Sequence, residues 1–163
     1  MTATAESLPA LAERLAALLE RARGASFQAA GPVLASLTTA VDPAFHPLRV
    51  GQRRDYFLWE QPARGFALAG IGQAARLAGH GARRFASTRA DLQRLLAEAV
   101  IERPQHLDAA PIALAGFAFD PATAAEAAWR SFPDALVLLP RFLFARSGDE
   151  AWLTVNVIVD RRL

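Results

Sequence analysis

Residues 135–146 and 151–159 are two long apolar runs rich in Leu, Val and Phe, and Ser147-Gly148-Asp149-Glu150 lies between them. Strand-forming runs on either side of a short turn with a glycine predict a β-hairpin. A hairpin sets its strands antiparallel, so this segment commits the chain to an antiparallel sheet. Two strands alone are marginal in water. The remaining residues must therefore supply further strands and a covering layer.

They have the patterns to do so. The leading segment, residues 1–24, predicts an amphipathic helix. Leu8, Leu11, Leu15, Leu18 and Leu19 recur at helical spacing, while Glu6, Glu13, Arg14, Glu20, Arg21 and Arg23 fill the other face. Ser7 is a cap, Pro9 suits the first turn and Gly24 is a stop. Residues 32–41, 56–60, 65–71 and 112–119 have strand character, and the loop 61–64 has hairpin length. Residues 83–102 predict a second helix, with Phe85, Leu92, Leu95, Leu96 and Ala99 on one face. Residues 124–130 read as a short helical turn. The order is one helix, three strands, one helix and three strands. It predicts an α+β fold, with a mainly antiparallel β-sheet and two helices able to cover one face. No repeat or linker divides residues 1–163, so they read as a single portion.

Composition limits the chemistry. The chain has no Cys, which excludes a disulfide framework and a thiolate site. It has no Lys, which excludes a Schiff-base lysine, a lysine general base and a P-loop lysine. Ala is unusually abundant and buries little area per residue. The aromatic residues in and beside the strand runs must dominate the core instead. The net charge is +2 although the pI is near 10.3. Without Lys or Cys, and with one Tyr, almost nothing titrates between about pH 7 and 10, so the high pI does not point to nucleic acid. The arginine pairs Arg53-Arg54, Arg83-Arg84 and Arg161-Arg162 are interspersed with carboxylates and form no basic block. No run reaches the ~18 apolar residues of a membrane helix. The expected location is the cytoplasm, with neither a nucleic-acid nor a membrane partner.

Several motifs compete for a catalytic role. Gly70-Ile71-Gly72-Gln73-Ala74-Ala75 has the form of a dinucleotide fingerprint, and Asp91 follows at a suitable distance. Gly79-His80-Gly81 breaks the chain too soon for a crossover helix, and Asp91 falls within a predicted helix. The glycines are better read as a bulge or close backbone approach in a bent strand. His46, His80 and His106 sit in loops at no ligand spacing. Glu60, Asp120 and Asp134 lie at strand ends or turns, with no pairing in sequence. Ser36 and Ser87 lack a nucleophile elbow. No catalytic or metal-binding residue is assigned from these patterns, and the substrate-binding residues are unknown.

One ordered set of segments stands out. Phe57-Leu58-Trp59-Glu60-Gln61-Pro62 leads into Gly65-Phe66-Ala67-Leu68-Ala69-Gly70-Ile71-Gly72. Gly116-Phe117-Ala118-Phe119-Asp120-Pro121 follows, then Trp129-Arg130-Ser131-Phe132-Pro133 with Leu136-Val137-Leu138-Leu139-Pro140. Together they resemble the N-terminal half of isochorismate synthases. These are chorismate-using enzymes of menaquinone, siderophore and salicylate biosynthesis, related to anthranilate synthase component I. The resemblance covers roughly residues 33–159. It implies a Mg²⁺-dependent isomerase that moves the chorismate hydroxyl from C4 to C2 by addition of water. It also implies a large α/β fold whose two halves surround a cleft. The family's lysine base, glutamate acid and magnesium-binding glutamates belong to its C-terminal half, and no position here matches them.

The chain is therefore expected to be the N-terminal, non-catalytic portion of such an enzyme, with the C-terminal catalytic domain as its missing partner. Mg²⁺ and chorismate would belong to the full-length enzyme. Two alternatives are a complementing subunit and a stand-alone regulatory domain binding a small anion through Arg64 or Arg141. A half-sheet should also expose an edge strand or an apolar strip, favouring self-association.

Overall fold

The computed structural model describes residues 6–44, 56–104, 111–120 and 132–160. Helix α1 (Leu8–Ser26) starts where Ser7 Oγ accepts from the Ala10 amide at 3.4 Å, with Pro9 in the first turn. It runs past Gly24, whose missing side chain faces open space. Leu18 and Ala22 are fully buried, and Leu11, Leu15, Leu19 and Ala25 are packed around them. Leu8 remains exposed.

Among the described residues seven strands form one sheet: β1 (Val33–Ala40), β2 (Tyr56–Gln61), β3 (Phe66–Gly79), β4 (Val100–Glu102), β5 (Leu114–Phe117), β6 (Ala135–Ser147) and β7 (Glu150–Val159). The order is β2-β3-β6-β7-β1-β4, and β5 also pairs with β6. Every pairing is antiparallel except β1 with β4. The mainly antiparallel α+β expectation therefore holds. In the β6–β7 turn, Gly148 adopts φ +58°, and among the described residues no non-glycine has positive φ. A positive φ at the first central position alone is the type II′ pattern. The Gly148 amide donates to the Gly65 carbonyl at 3.0 Å, tying this turn to the one joining β2 and β3.

β1 is buried along nearly its whole length. Val33, Ala35 and Leu37 pack against α1, and Val157 and Val159 of β7 and Val100 of β4 join them. Helix α2 (Arg84–Ala97) lies elsewhere, against β3 and β6. It approaches β3 at Gly79, where a Cβ would stand 2.7 Å from the Arg84 carbonyl oxygen. The two helices thus cover different parts of the sheet.

Several boundaries differ from the sequence expectation. The second helix ends at Ala97, and residues 100–102 form β4 instead of its last turn. Its inward residues are Arg84, Thr88, Asp91, Leu92 and Leu95, while Phe85 and Leu96 are exposed. β3 continues to Gly79, well beyond residue 71. The strand expected over 112–119 keeps only four residues, Leu114–Phe117. The helical turn expected over 124–130 lies outside the described residues.

β5 and β7 share one side of β6. β7 pairs with it from Ser147 to Phe142, and β5 takes over from Leu138 to Ala135. Between them Asn156 Nδ2 donates to the Pro140 carbonyl at 2.8 Å, and Asn156 is fully buried. The side chain substitutes there for a ladder donor. Next to it, the buried hydroxyls of Thr38 and Thr154 share a hydrogen bond of 2.9 Å.

Candidate functional site

The dinucleotide-like glycines lie inside β3 and open no helix. Gly72 has φ +63°, and the register with β6 shifts between Gln73 and Ala75. This is the bulge expected from the sequence. Gly70 gives the close approach, because a Cβ there would collide with the Phe57 ring. Asp91 lies in α2, where it accepts from Arg94 at 3.1 Å. The loop cannot cradle a pyrophosphate, since β3 runs straight through it.

The titratable groups are dispersed. His80 sits exposed between β3 and α2; His46 and His106 lie outside the described residues. Asp134 Oδ2 accepts from the Gly81 amide at 2.6 Å, so this carboxylate anchors the turn that opens α2. Glu60 is exposed on β2, and Asp120 follows β5. Ser36 is buried in β1, and Ser87 Oγ donates to the Arg84 carbonyl at 3.2 Å. Among the described residues no three His, Asp or Glu groups converge on a possible metal position. The described residues do not fit a magnesium site.

The two candidate anion-binding arginines do not meet. Arg64 occupies the turn between β2 and β3, which lies beside the β6–β7 turn. Arg141 lies near the middle of β6, exposed, opposite the Gly72 bulge. Phe66, just past Arg64, pairs with Ser147, six residues along β6 from Arg141, so the two levels are at least ~20 Å apart at the rise of a strand. Of the three arginine pairs only Arg83-Arg84 lies among the described residues. Arg84 is buried, its guanidinium 4.4 Å from the Phe85 ring centroid, and Nη1 donates to the Gly81 carbonyl.

The densest polar cluster was not visible in the sequence. Arg14 bridges Glu6 at 2.7 Å and Glu102 at 2.8 Å, and Arg21 reaches Glu102 at 2.7 Å. Thr39 donates to Glu6 at 3.0 Å. The hydrogen bond to Glu102 is the main cause that raises the Arg14 pKa, opposed by burial. Every cation here has a carboxylate, so the cluster clips α1 to β1 and β4 and leaves no free charge for a substrate. Its only sequence signal was the α1 polar face; Glu102 read as part of a helix.

The β2 edge carries the aromatic residues of the Phe57–Pro62 segment. Trp59 and Phe66 meet edge to face at 5.7 Å. Tyr56, Leu58 and Trp59 remain exposed. No helix among the described residues is long and apolar enough to cross a membrane. Among the described residues the distinguishing feature is thus a sheet with an open apolar edge.

Comparison with known proteins gives that scaffold a family. Residues 18–163 match the family described as "Chorismate binding enzyme". The salicylate biosynthesis isochorismate synthase of Pseudomonas aeruginosa is 36% identical over 135 residues, covering 80% of this chain and 27% of that protein. Among solved structures, the menaquinone-specific isochorismate synthase of Escherichia coli aligns with a TM-score of 0.47 and 19% identity. That alignment covers 90% of this chain and 30% of the other. The chain therefore spans less than a third of each relative's length. It belongs to the chorismate-binding enzyme family and is related to isochorismate synthase.

Proposed function

We propose that this chain is the N-terminal, non-catalytic portion of an isochorismate synthase acting in the cytoplasm. It builds one side of the scaffold on which chorismate is converted to isochorismate. The observation that carries this reading is the 36% identity to an isochorismate synthase of which the chain spans only 27%. The relative's name favours salicylate formation over the other pathways open to isochorismate.

The chemistry agrees with a division of labour. Moving a hydroxyl from C4 to C2 by adding water needs a base to activate that water and an acid at the leaving hydroxyl. The chain has no lysine to serve as the family's base. The buried Thr38, Thr154 and Asn156 side chains hold strands to one another. The partner in this reading is the catalytic portion of the enzyme, which would bind chorismate and Mg²⁺.

The test is turnover. Purified 163-residue chain with chorismate and magnesium chloride should form no isochorismate above the rate without protein. The same chain supplied with a catalytic portion should restore it. Isochorismate made by the chain alone would overturn the proposal.

A further inference from the structure

Cross-strand partners in a sheet point to the same face. One such row is Tyr56, Ile71, Phe142, Val155 and Leu37, which crosses β2, β3, β6, β7 and β1. Exposure falls along it, from 57% at Tyr56 and 41% at Phe142 to 7% at Val155 and 0% at Leu37. The fall coincides with α1, since Leu37 packs in the cluster that holds Leu18 and Ala22. The adjoining row starts at Leu58, also exposed, and continues through the buried Ala69 and Phe144. One face thus has a covered part under α1, a second buried patch of Ala69, Phe144 and Ala151 beside Val41, and an apolar shelf on β2, β3 and β6 that neither covers. The shelf consists of Tyr56, Leu58, Ile71 and Phe142.

We propose that this shelf is the seat of the catalytic portion of the enzyme, an inference that rests on the function proposed above. The choice of occupant comes from length. The matched region is 27% of the related isochorismate synthase, so most of that enzyme lies outside it and must pack somewhere. The choice of place comes from chemistry. Neither row contributes a charge on β2, β3 or β6; Glu60 and Arg146 flank the shelf in the next row, opposite Ala67. A partner offering an apolar surface with a polar rim fits this arrangement. The exposed aromatic pair beside α2 already has internal partners. Phe85 and Phe117 lie 4.9 Å apart, and the Arg84 guanidinium covers Phe85.

The experiment co-expresses this chain with the part of the Pseudomonas aeruginosa synthase outside the matched region. Co-purification, isochorismate formation and amide hydrogen exchange are then measured. The shelf variant is Tyr56→Ser with Phe142→Ser, and the control is Phe85→Ser with Phe117→Ser. Circular dichroism of each variant chain alone checks that the fold is retained. The expected result is active complex, exchange protection in β2 and the middle of β6, and affinity at least ~10-fold weaker for the shelf variant only. Active complex with unchanged affinity in the shelf variant, or protection confined to α2 and β5, overturns the shelf and leaves the scaffold reading standing. Absence of complex and of turnover with the unaltered chain overturns the scaffold reading and the shelf with it. A shelf variant that abolishes only self-association assigns the shelf to a second copy, and also overturns the proposal.

Discussion

Gly79 and Gly70 both lack a side chain where the fold has no room, yet their surroundings differ. At Gly79 the obstacles are the Arg84 carbonyl oxygen and Thr88 Cγ2, at 2.7 and 2.9 Å from an added Cβ. The first is helix backbone, and Thr88 is pinned by its bond to the Arg84 carbonyl at 2.7 Å. Gly79→Ala should therefore push α2 off the sheet and cost ~2–3 kcal/mol, read as a lower urea midpoint at unchanged slope. At Gly70 the obstacle is the Phe57 ring on an edge strand, which can swing aside. Gly70→Ala should cost only about 1 kcal/mol, and Phe57→Ala in the same chain should remove most of that cost. Gly148→Ala tests a different mechanism. Its φ of +58° is strained for any residue with a Cβ, so a loss of about 1 kcal/mol is expected although nothing is nearby. Of these three positions, the sequence marked Gly148 as a turn and Gly70 as a bulge or close approach. Gly79 read as a helix breaker, because its true neighbour, α2, is local in sequence but folds back on it.

Helix α1 is held in two ways that respond differently to solvent. Leu18 is fully buried against Val33, Ala35 and Leu37, so Leu18→Ala should cost ~2–5 kcal/mol with little dependence on salt. The Arg14–Glu102 clip is partly exposed, and Glu102→Gln should cost no more than ~1 kcal/mol, diminishing in molar sodium chloride. Denaturation curves at two salt concentrations separate the two. The Arg14 pKa is raised in the folded state, chiefly by the hydrogen bond to Glu102, so the stability linked to its own proton is complete below the unfolded value and is lost as pH rises through the folded one, in strong alkali. The elements themselves were legible where pairing is local. The β6–β7 hairpin and α1 follow from turn chemistry and leucine spacing. β4 did not, because Val100-Ile101-Glu102 continues a helical pattern and its parallel partner, β1, lies some sixty residues earlier. The second half of β3, with three alanines and an arginine, has weak strand propensity; the ladder with β6 imposes the strand. The candidate site was legible mainly in what it excluded. Loops that cannot hold a nucleotide could be rejected from spacing, whereas the shelf depends on a register across five strands.

For the whole molecule, the uneven cover of the sheet has a solution consequence. β2 is an edge strand with Tyr56, Leu58 and Trp59 exposed. The chain alone should self-associate at micromolar concentration, and sedimentation velocity should show the monomer fraction rising in the Tyr56→Ser, Phe142→Ser variant. A chain that sediments as a monomer throughout that range would contradict this.

The register between β1 and β7 also sets an order in time. Val33 pairs with Val159 and Ala40 with Trp152, so the strand most completely enclosed meets its long partner only after more than a hundred intervening residues. Its other neighbour, β4, is three residues long. As the chain leaves the ribosome, β1 must wait with its apolar residues open to water until β7 emerges. Pairing over such distances in sequence is slow. The β6–β7 hairpin can close within itself quickly, and α1 with β1 then docks onto a ribbon that is already formed. Synthesis of the last strand is thus the step that commits the first.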